Sequence, residues 1–158
     1  MLKRRIENDI TKLQEYETMQ PIQRKIKVTN NDIYPYIIQI NDNITITITK
    51  KYPFNAPIVH IGKQSYIQFL IPQNKNIRQI YETILHKCCC LWCESILHPN
   101  NWMPTKNLFS ILLEIEQFNK LKQRIKQILL YNRYLKIICN QYNLPMHSRD
   151  LTPYLYTY

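Results

Sequence analysis

The sequence predicts an α+β domain with segregated elements, on three observations: a charged amphipathic segment at the start, strand patterns parted by turn residues at hairpin length, and helical periodicity through the last third. In the first segment Ile6, Ile10, Leu13 and Tyr16 recur at helical spacing, while Lys3, Arg4, Arg5, Glu7, Asp9 and Lys12 fill the other faces. This predicts an N-terminal helix ending near Pro21. Arg24 to Thr29 alternates, Ile33 to Ile40 is rich in Ile and Tyr, and Ile44 to Thr49 alternates strictly with period two. Asn30-Asn31-Asp32 and Asn41-Asp42-Asn43 separate these runs, so they form an antiparallel meander, and Ile58 to Ile61 supplies its fourth strand.

The middle carries an apolar run, Tyr66 to Ile71, then Pro72 and a helical pattern in which Ile77, Ile80, Tyr81, Ile84 and Leu85 share a face. Four cysteines follow, Cys88, Cys89, Cys90 and Cys93. Beyond Trp102-Met103-Pro104, Leu108, Ile111, Leu112, Ile115 and Phe118 recur at helical spacing, with Pro104 and Thr105 suited to the helix start. A further helix is expected from about Leu121 to Asn140, carrying Lys120, Lys122, Arg124, Lys126, Arg133 and Lys136 along and just ahead of it. No internal repeat or long linker interrupts the order, so residues 1–158 are read as one domain.

Composition narrows the function classes. At 45% apolar and 20% charged residues the chain is globular in type. Its one glycine, Gly62, excludes the glycine-rich phosphate cradle and the dinucleotide turn. A net charge of +10 favours acidic partners, without choosing among proteins, nucleic acid and membrane surfaces, and a solvated basic surface explains it equally well. No stretch approaches ~18 consecutive apolar residues, and the start MLKRRIENDI has charges where a signal peptide has an apolar core. The expectation is an intracellular protein, cytoplasmic or nuclear, with no membrane partner. The heavy use of Ile and Asn matches AT-rich coding sequence of the kind found in some protists and large DNA viruses; for a viral chain the compartment is the host cell. In a reducing compartment, clustered cysteines serve as metal ligands or as a nucleophile before they serve as disulfides.

Tyr52-Pro53-Phe54 with Ala56-Pro57-Ile58-Val59, directly after the third strand, resembles the YPF-x-x-P-x-V segment of ubiquitin-conjugating enzymes (E2). Cys93-Glu94-Ser95-Ile96-Leu97, followed by Trp102-Met103-Pro104 and the helix from Asn107 to Phe118, resembles the C-L-x-I-L … W-x-P … helix block of the same family. The resemblance covers about residues 1 to 120, in the right order behind the helix and meander, and leaves 121–158 as a C-terminal helical extension. It implies the UBC fold, and it implies that ubiquitin is received from an activating enzyme as a thioester on Cys93 and passed to substrate lysines. The chain departs from the family in three places. His98-Pro99-Asn100 lies after Cys93, whereas the family has its His-Pro-Asn before the cysteine. At the usual place stands Ile71-Pro72-Gln73-Asn74, so Asn74 or Gln73 is the candidate for the amide that stabilises the oxyanion. The interval from Tyr52 to Cys93 is also longer than usual, with the extra residues around Asn76 to Lys87, and one extra residue separates Cys93 from Trp102. Alignment on Cys90 would enlarge that second discrepancy, which makes Cys90 the second choice of nucleophile.

Cysteine suits acyl transfer because its thiolate is nucleophilic near neutral pH and its acyl product stays reactive. The resemblance further implies that Lys3, Arg4 and Arg5 on the first helix meet the activating enzyme, and that Phe54 and Pro104 meet RING-type ligases. A solvated helix end and a core-buried Phe54 are the alternatives. No cofactor is implied, since ATP is consumed by the activating enzyme upstream. Two other classes stay open. One is an inactive E2-like variant that binds ubiquitin, or a related modifier, or an E2 partner. The other is a small basic zinc-binding protein using His86, Cys90, Cys93 and His98, in which Cys90-x-x-Cys93 has ligand spacing but no second knuckle follows. Nucleic acid is not expected as a partner, because no aromatic-basic stacking pattern accompanies the charge.

Overall fold

The computed structural model describes residues 2–19, 25–29, 34–72, 74, 75, 77, 78, 81 and 91–142. Helix α1 (Leu2–Met19) leads into a sheet of strands β1 (Ile26–Thr29), β2 (Tyr36–Ile40), β3 (Ile44–Ile48), β4 (Ile58–Ile61) and β5 (Gln64–Ser65). Helices α2 (Tyr66–Leu70), α3 (Leu91–Glu94) and α4 (Leu108–Gln141) follow. The class is α+β: an N-terminal helix, an antiparallel sheet and a long C-terminal helix.

The sheet runs in sequence order, β1-β2-β3-β4-β5, with every neighbour antiparallel. Its register aligns Val28, Ile38, Ile46 and Val59 in one cross-strand row. Ile38, Ile46 and Val59 are buried and Val28 is half-buried. One residue along, Lys27, Gln39, Thr45 and His60 make a polar row, because successive side chains point to opposite faces. The turn between β2 and β3 places Asn41 and Asp42 at φ of 53° and 54°, the left-handed region that short polar side chains tolerate best after glycine. Gly62 is spent in the same way, at φ 58°, opening the two-residue turn from β4 to β5. The meander therefore has a fifth, two-residue strand beyond the four that alternation marks, and it is too short to carry a periodic signal.

Behind the sheet, Ile6 and Leu13 of α1 and Leu108, Ile111, Leu112 and Ile115 of α4 are at 0–1% exposure and share one hydrophobic cluster with the inner strand residues. The apolar run after β5 is α2, started by Ser65: its side chain accepts from the Gln68 amide while the Gln68 side chain accepts from the Ser65 amide. Where two C-terminal helices are expected, there is one of 34 residues. No proline or glycine stands between Phe118 and Leu121, so nothing stops the first helix. Its N-cap is Asn107, whose side-chain oxygen accepts from the Ser110 amide at 2.8 Å; Pro104 and Thr105 lie in the turn before it. Of the expected middle helix, Lys75, Ile77, Arg78 and Tyr81 are helical, and Ile80, Ile84 and Leu85 lie outside the described residues. No helix among the described residues is long and apolar enough to cross a membrane.

Lys122 joins α4 to α2: its ammonium nitrogen lies 3.3 Å from the Phe69 ring centroid and donates to the Phe69 carbonyl. Burial pulls this lysine down from 10.5 to about 8. Between those two values the unfolded chain holds a proton that the folded chain has lost, so this group's contribution to stability rises with pH across that window. Lys122→Met removes the titration. Urea denaturation at about pH 7.5 and about pH 9.5 is expected to show the parent gaining stability relative to the variant at the higher pH, and an unchanged difference would refute the assignment.

Candidate functional site

Two segments 49 residues apart meet at Trp102 and Pro53. The Trp102 indole N–H donates to the Pro53 carbonyl at 2.7 Å, and the Trp102 and Tyr52 rings lie 6.1 Å apart. The Tyr52–Pro53 peptide is cis. Tyr52, at 1% exposure, donates its hydroxyl to Asp9 Oδ2 at 2.5 Å. Burial first, and then the bond to Asp9, pushes the Tyr52 hydroxyl well above its ordinary value. Arg5 pairs with the same oxygen at 3.3 Å and donates to the Lys106 carbonyl at 3.2 Å. A polar thread thus runs from α1 through Tyr52 to the loop ahead of α4.

Cys93 sits on the single turn of α3 and is exposed. Its carbonyl is held by the loop that follows. Asn101 donates one amide group to two carbonyls, those of Cys93 and Ser95, both at 2.9 Å. Directly beneath, Glu114 of α4 is 7% exposed and gathers three donors. Ser95 Oγ reaches its Oε1 at 2.7 Å, Tyr66 Oη the same oxygen at 2.9 Å, and the Ile96 amide its Oε2 at 2.6 Å. Ser95 Oγ accepts in turn from the Leu97 amide at 3.1 Å. Burial and then the neighbouring Glu114 push the Tyr66 hydroxyl far above the ordinary tyrosine range. An open groove of about 420 Å³ is lined by Glu94 and Ile96 of this turn together with Lys106, Ser110, Leu113 and Gln117, and Cys93 is not part of its lining.

The other expected site residues divide. Phe54 is 79% exposed, so the core-buried alternative for it does not hold. Pro104 is exposed beside Met103, and the Trp102–Pro53 bond brings their loop to the loop of Phe54. Lys3 and Arg4 are exposed on α1, whereas Arg5 is half-buried and turned inward onto Asp9 and Lys106. That pairing follows from the helix period: Arg5 and Asp9, four residues apart, share a face and meet. Asn74 is exposed and its side-chain oxygen accepts from the Ile77 amide at 3.4 Å, the position of a helix cap. His98 packs edge-on against Trp92, at 5.4 Å between ring centroids, and its Nδ1 accepts from the Asn100 amide at 3.2 Å. The His98-Pro99-Asn100 sequence is thus part of the turn that leads from Cys93 to Trp102. His86, Cys88, Cys89 and Cys90 lie outside the described residues, so Cys93 and His98 are the two members of the zinc set whose positions are known.

Glu114 and Asn101 were missed by sequence reasoning. A glutamate inside an apolar helical stripe is a signal that was available, since a buried carboxyl needs partners. An asparagine in a polar loop carries no such mark. Comparison of the chain with family models, with curated proteins and with solved structures finds no match.

Removing the Glu114 carboxyl strips Ser95, Tyr66 and the Ile96 amide of their acceptor at once. Glu114→Ala is expected to destabilise the fold by about 3 kcal/mol in urea denaturation, and Glu114→Gln, which keeps one acceptor oxygen, by about half of that. A loss under about 0.5 kcal/mol for Glu114→Ala would place the network outside the folded core.

Proposed function

We propose that the chain is a divergent ubiquitin-conjugating enzyme of UBC type, with Cys93 as the residue that carries ubiquitin or a related modifier. The observation that carries this reading is the bond from Trp102 to the Pro53 carbonyl. It joins the two segments on which the family resemblance rests, and Asn101, the residue before Trp102, holds the carbonyl of the exposed Cys93. In the proposed cycle the Cys93 thiolate attacks the carbonyl of the modifier held on the activating enzyme, forms a new C–S bond and releases the donor thiolate. A lysine amine then attacks the same carbonyl, the C–N bond forms, the C–S bond breaks, and the amine gives up its proton.

The partner surfaces in this reading are Lys3 and Arg4 for the activating enzyme, and Phe54 with Pro104 for a RING-type ligase. Phe54 has the exposure that an aromatic anchor needs, and it stands on a loop tied to the main body through Pro53. ATP enters through the activating enzyme and not through this chain. A second reading, an E2-like module that binds without forming a thioester, is favoured by Asn74, whose amide caps its own helix start and so has a structural duty. In the catalytic reading an amide N–H of Asn74 serves as the oxyanion donor, a contribution worth ~3 kcal/mol in acyl transfer, and Gln73, the other candidate, lies outside the described residues.

Incubation with activating enzyme, ubiquitin and ATP is expected to give an adduct on a non-reducing gel that thiol reductant removes. Cys93→Ser should abolish that adduct or convert it to a reductant-resistant ester, and Cys90→Ser should leave it intact. The reverse pattern moves the nucleophile to Cys90. No adduct with several activating enzymes, alongside retained binding to ubiquitin, selects the non-catalytic reading.

A further inference from the structure

The last fully buried residue of α4 is Ile125, and the helix continues for about four more turns to Gln141. On that continuation Leu130, Tyr131, Tyr134, Ile137 and Ile138 are 44–63% exposed. On a helix turning about 100° per residue these five share one face. Leu130, Tyr134 and Ile137 follow the four-then-three spacing of a helix-pairing seam, with Tyr131 and Ile138 along one side. Lys126 and Arg133, seven residues apart and both exposed, line the other side. Across residues 119–142 there are six cations and no Asp or Glu.

We propose that this outer face of α4, from Lys126 to Ile138, is a docking surface for an acidic amphipathic helix of a partner protein. The apolar seam supplies the area that a helix covers, and the cationic edge supplies the complement to carboxylates at the flanking positions of that helix. Charge argues against a second copy of the chain. Antiparallel pairing would set Lys126 and Arg133 against the same two cations, and parallel pairing would set them against Tyr131 and Ile138. A bilayer suits the face poorly, because Gln123 and Gln127 continue its two apolar rows, seven residues before Leu130 and Tyr134, and Gln141 ends the second row. Nucleic acid would use the cations but leaves Leu130, Ile137 and Ile138 without a role.

Two fluorescent designed peptides test the surface on the full chain: both have leucine at the seam positions, one has glutamate and the other lysine at the flanks. The acidic peptide is expected to bind the parent chain at least ~10-fold more tightly than the basic one in fluorescence anisotropy. Tyr134→Ser with Ile137→Ser is expected to weaken the acidic peptide by ~10-fold or more. Lys126→Glu with Arg133→Glu is expected to reverse the preference between the peptides. All four positions are exposed, so circular dichroism of the variants should match the parent, and the preference of the parent chain needs no variant. Equal affinity for the two peptides overturns the proposal, as does acidic-peptide binding indifferent to the serine substitutions. Binding to phosphatidylserine vesicles, or a concentration-dependent dimer, that the serine substitutions abolish would reassign the face to lipid or to a second copy. The surface does not involve Cys93, so a chain that forms no thioester would still select the acidic peptide.

Discussion

A single carboxyl group buried beneath the cysteine turn ties together three separate parts of the chain. Glu114 comes from the long helix, Tyr66 from the short helix after the sheet, and Ser95 and Ile96 from the turn that follows Cys93. Burying a carboxyl without partners costs several kcal/mol, and three hydrogen bonds to its two oxygens offset that cost. The network is directional where apolar packing is not. Leucines in the same place would fill the volume, but they would leave the Ser95 hydroxyl and the Ile96 amide unpaired, and those groups set the path of the turn that carries Cys93.

A second polar thread does the same for the opposite side of the turn. Arg5, Asp9 and Tyr52 connect the first helix to the segment after β3, and Pro53 passes the connection to Trp102. The chain after Cys93 is therefore anchored twice, at Ser95 and Ile96 to α4 and at Trp102 to the segment that α1 holds through Tyr52. Asn101 closes the arrangement by gripping the carbonyls of Cys93 and Ser95. The sheet is the passive partner, because its inner row of Ile and Val supplies the rigid surface against which both helices are set. Phe54 and Pro104 are exposed on the two loops that this thread joins, and Cys93 is exposed on α3.

The long helix gives the molecule two ends of different character. From Leu108 to Ile125 it is part of the core, with Leu108, Ile111, Leu112, Ile115 and Ile125 at 0–2% exposure. Beyond Ile125 it offers aromatic and aliphatic side chains to solvent among cations. Continuity of the backbone hydrogen bonds lets the buried half support the exposed half, since propagating a helix is far easier than nucleating one. That is why an outer segment with little contact of its own keeps its shape and holds an apolar face in the open.

Elements with a strong local period were legible in the residues. The alternation of Ile and Thr from Ile44, the spacing of Ile6 and Leu13, and the stripe from Leu108 to Ile115 name their own structure, because periods of two and 3.6 decide which face each side chain meets. Turn residues marked the hairpin at Asn41-Asp42, where backbone geometry restricts the choice of residue. The segments of the candidate site were legible too, as blocks of residue types around Tyr52 and Cys93. Their meeting was not, since a hydrogen bond between residues 49 apart leaves no periodic trace. Nor was the single span of α4, where the absence of a breaker at Asn119 and Lys120 outweighed the shift in apolar pattern. The sequence by itself determined the α+β class and the order of the four strands that alternate. Only the tertiary structure decided that Arg5 faces inward, that Phe54 faces outward and that Glu114 and Asn101 hold the cysteine turn, because each of those outcomes depends on a partner distant in the chain or on which face the folded core leaves uncovered.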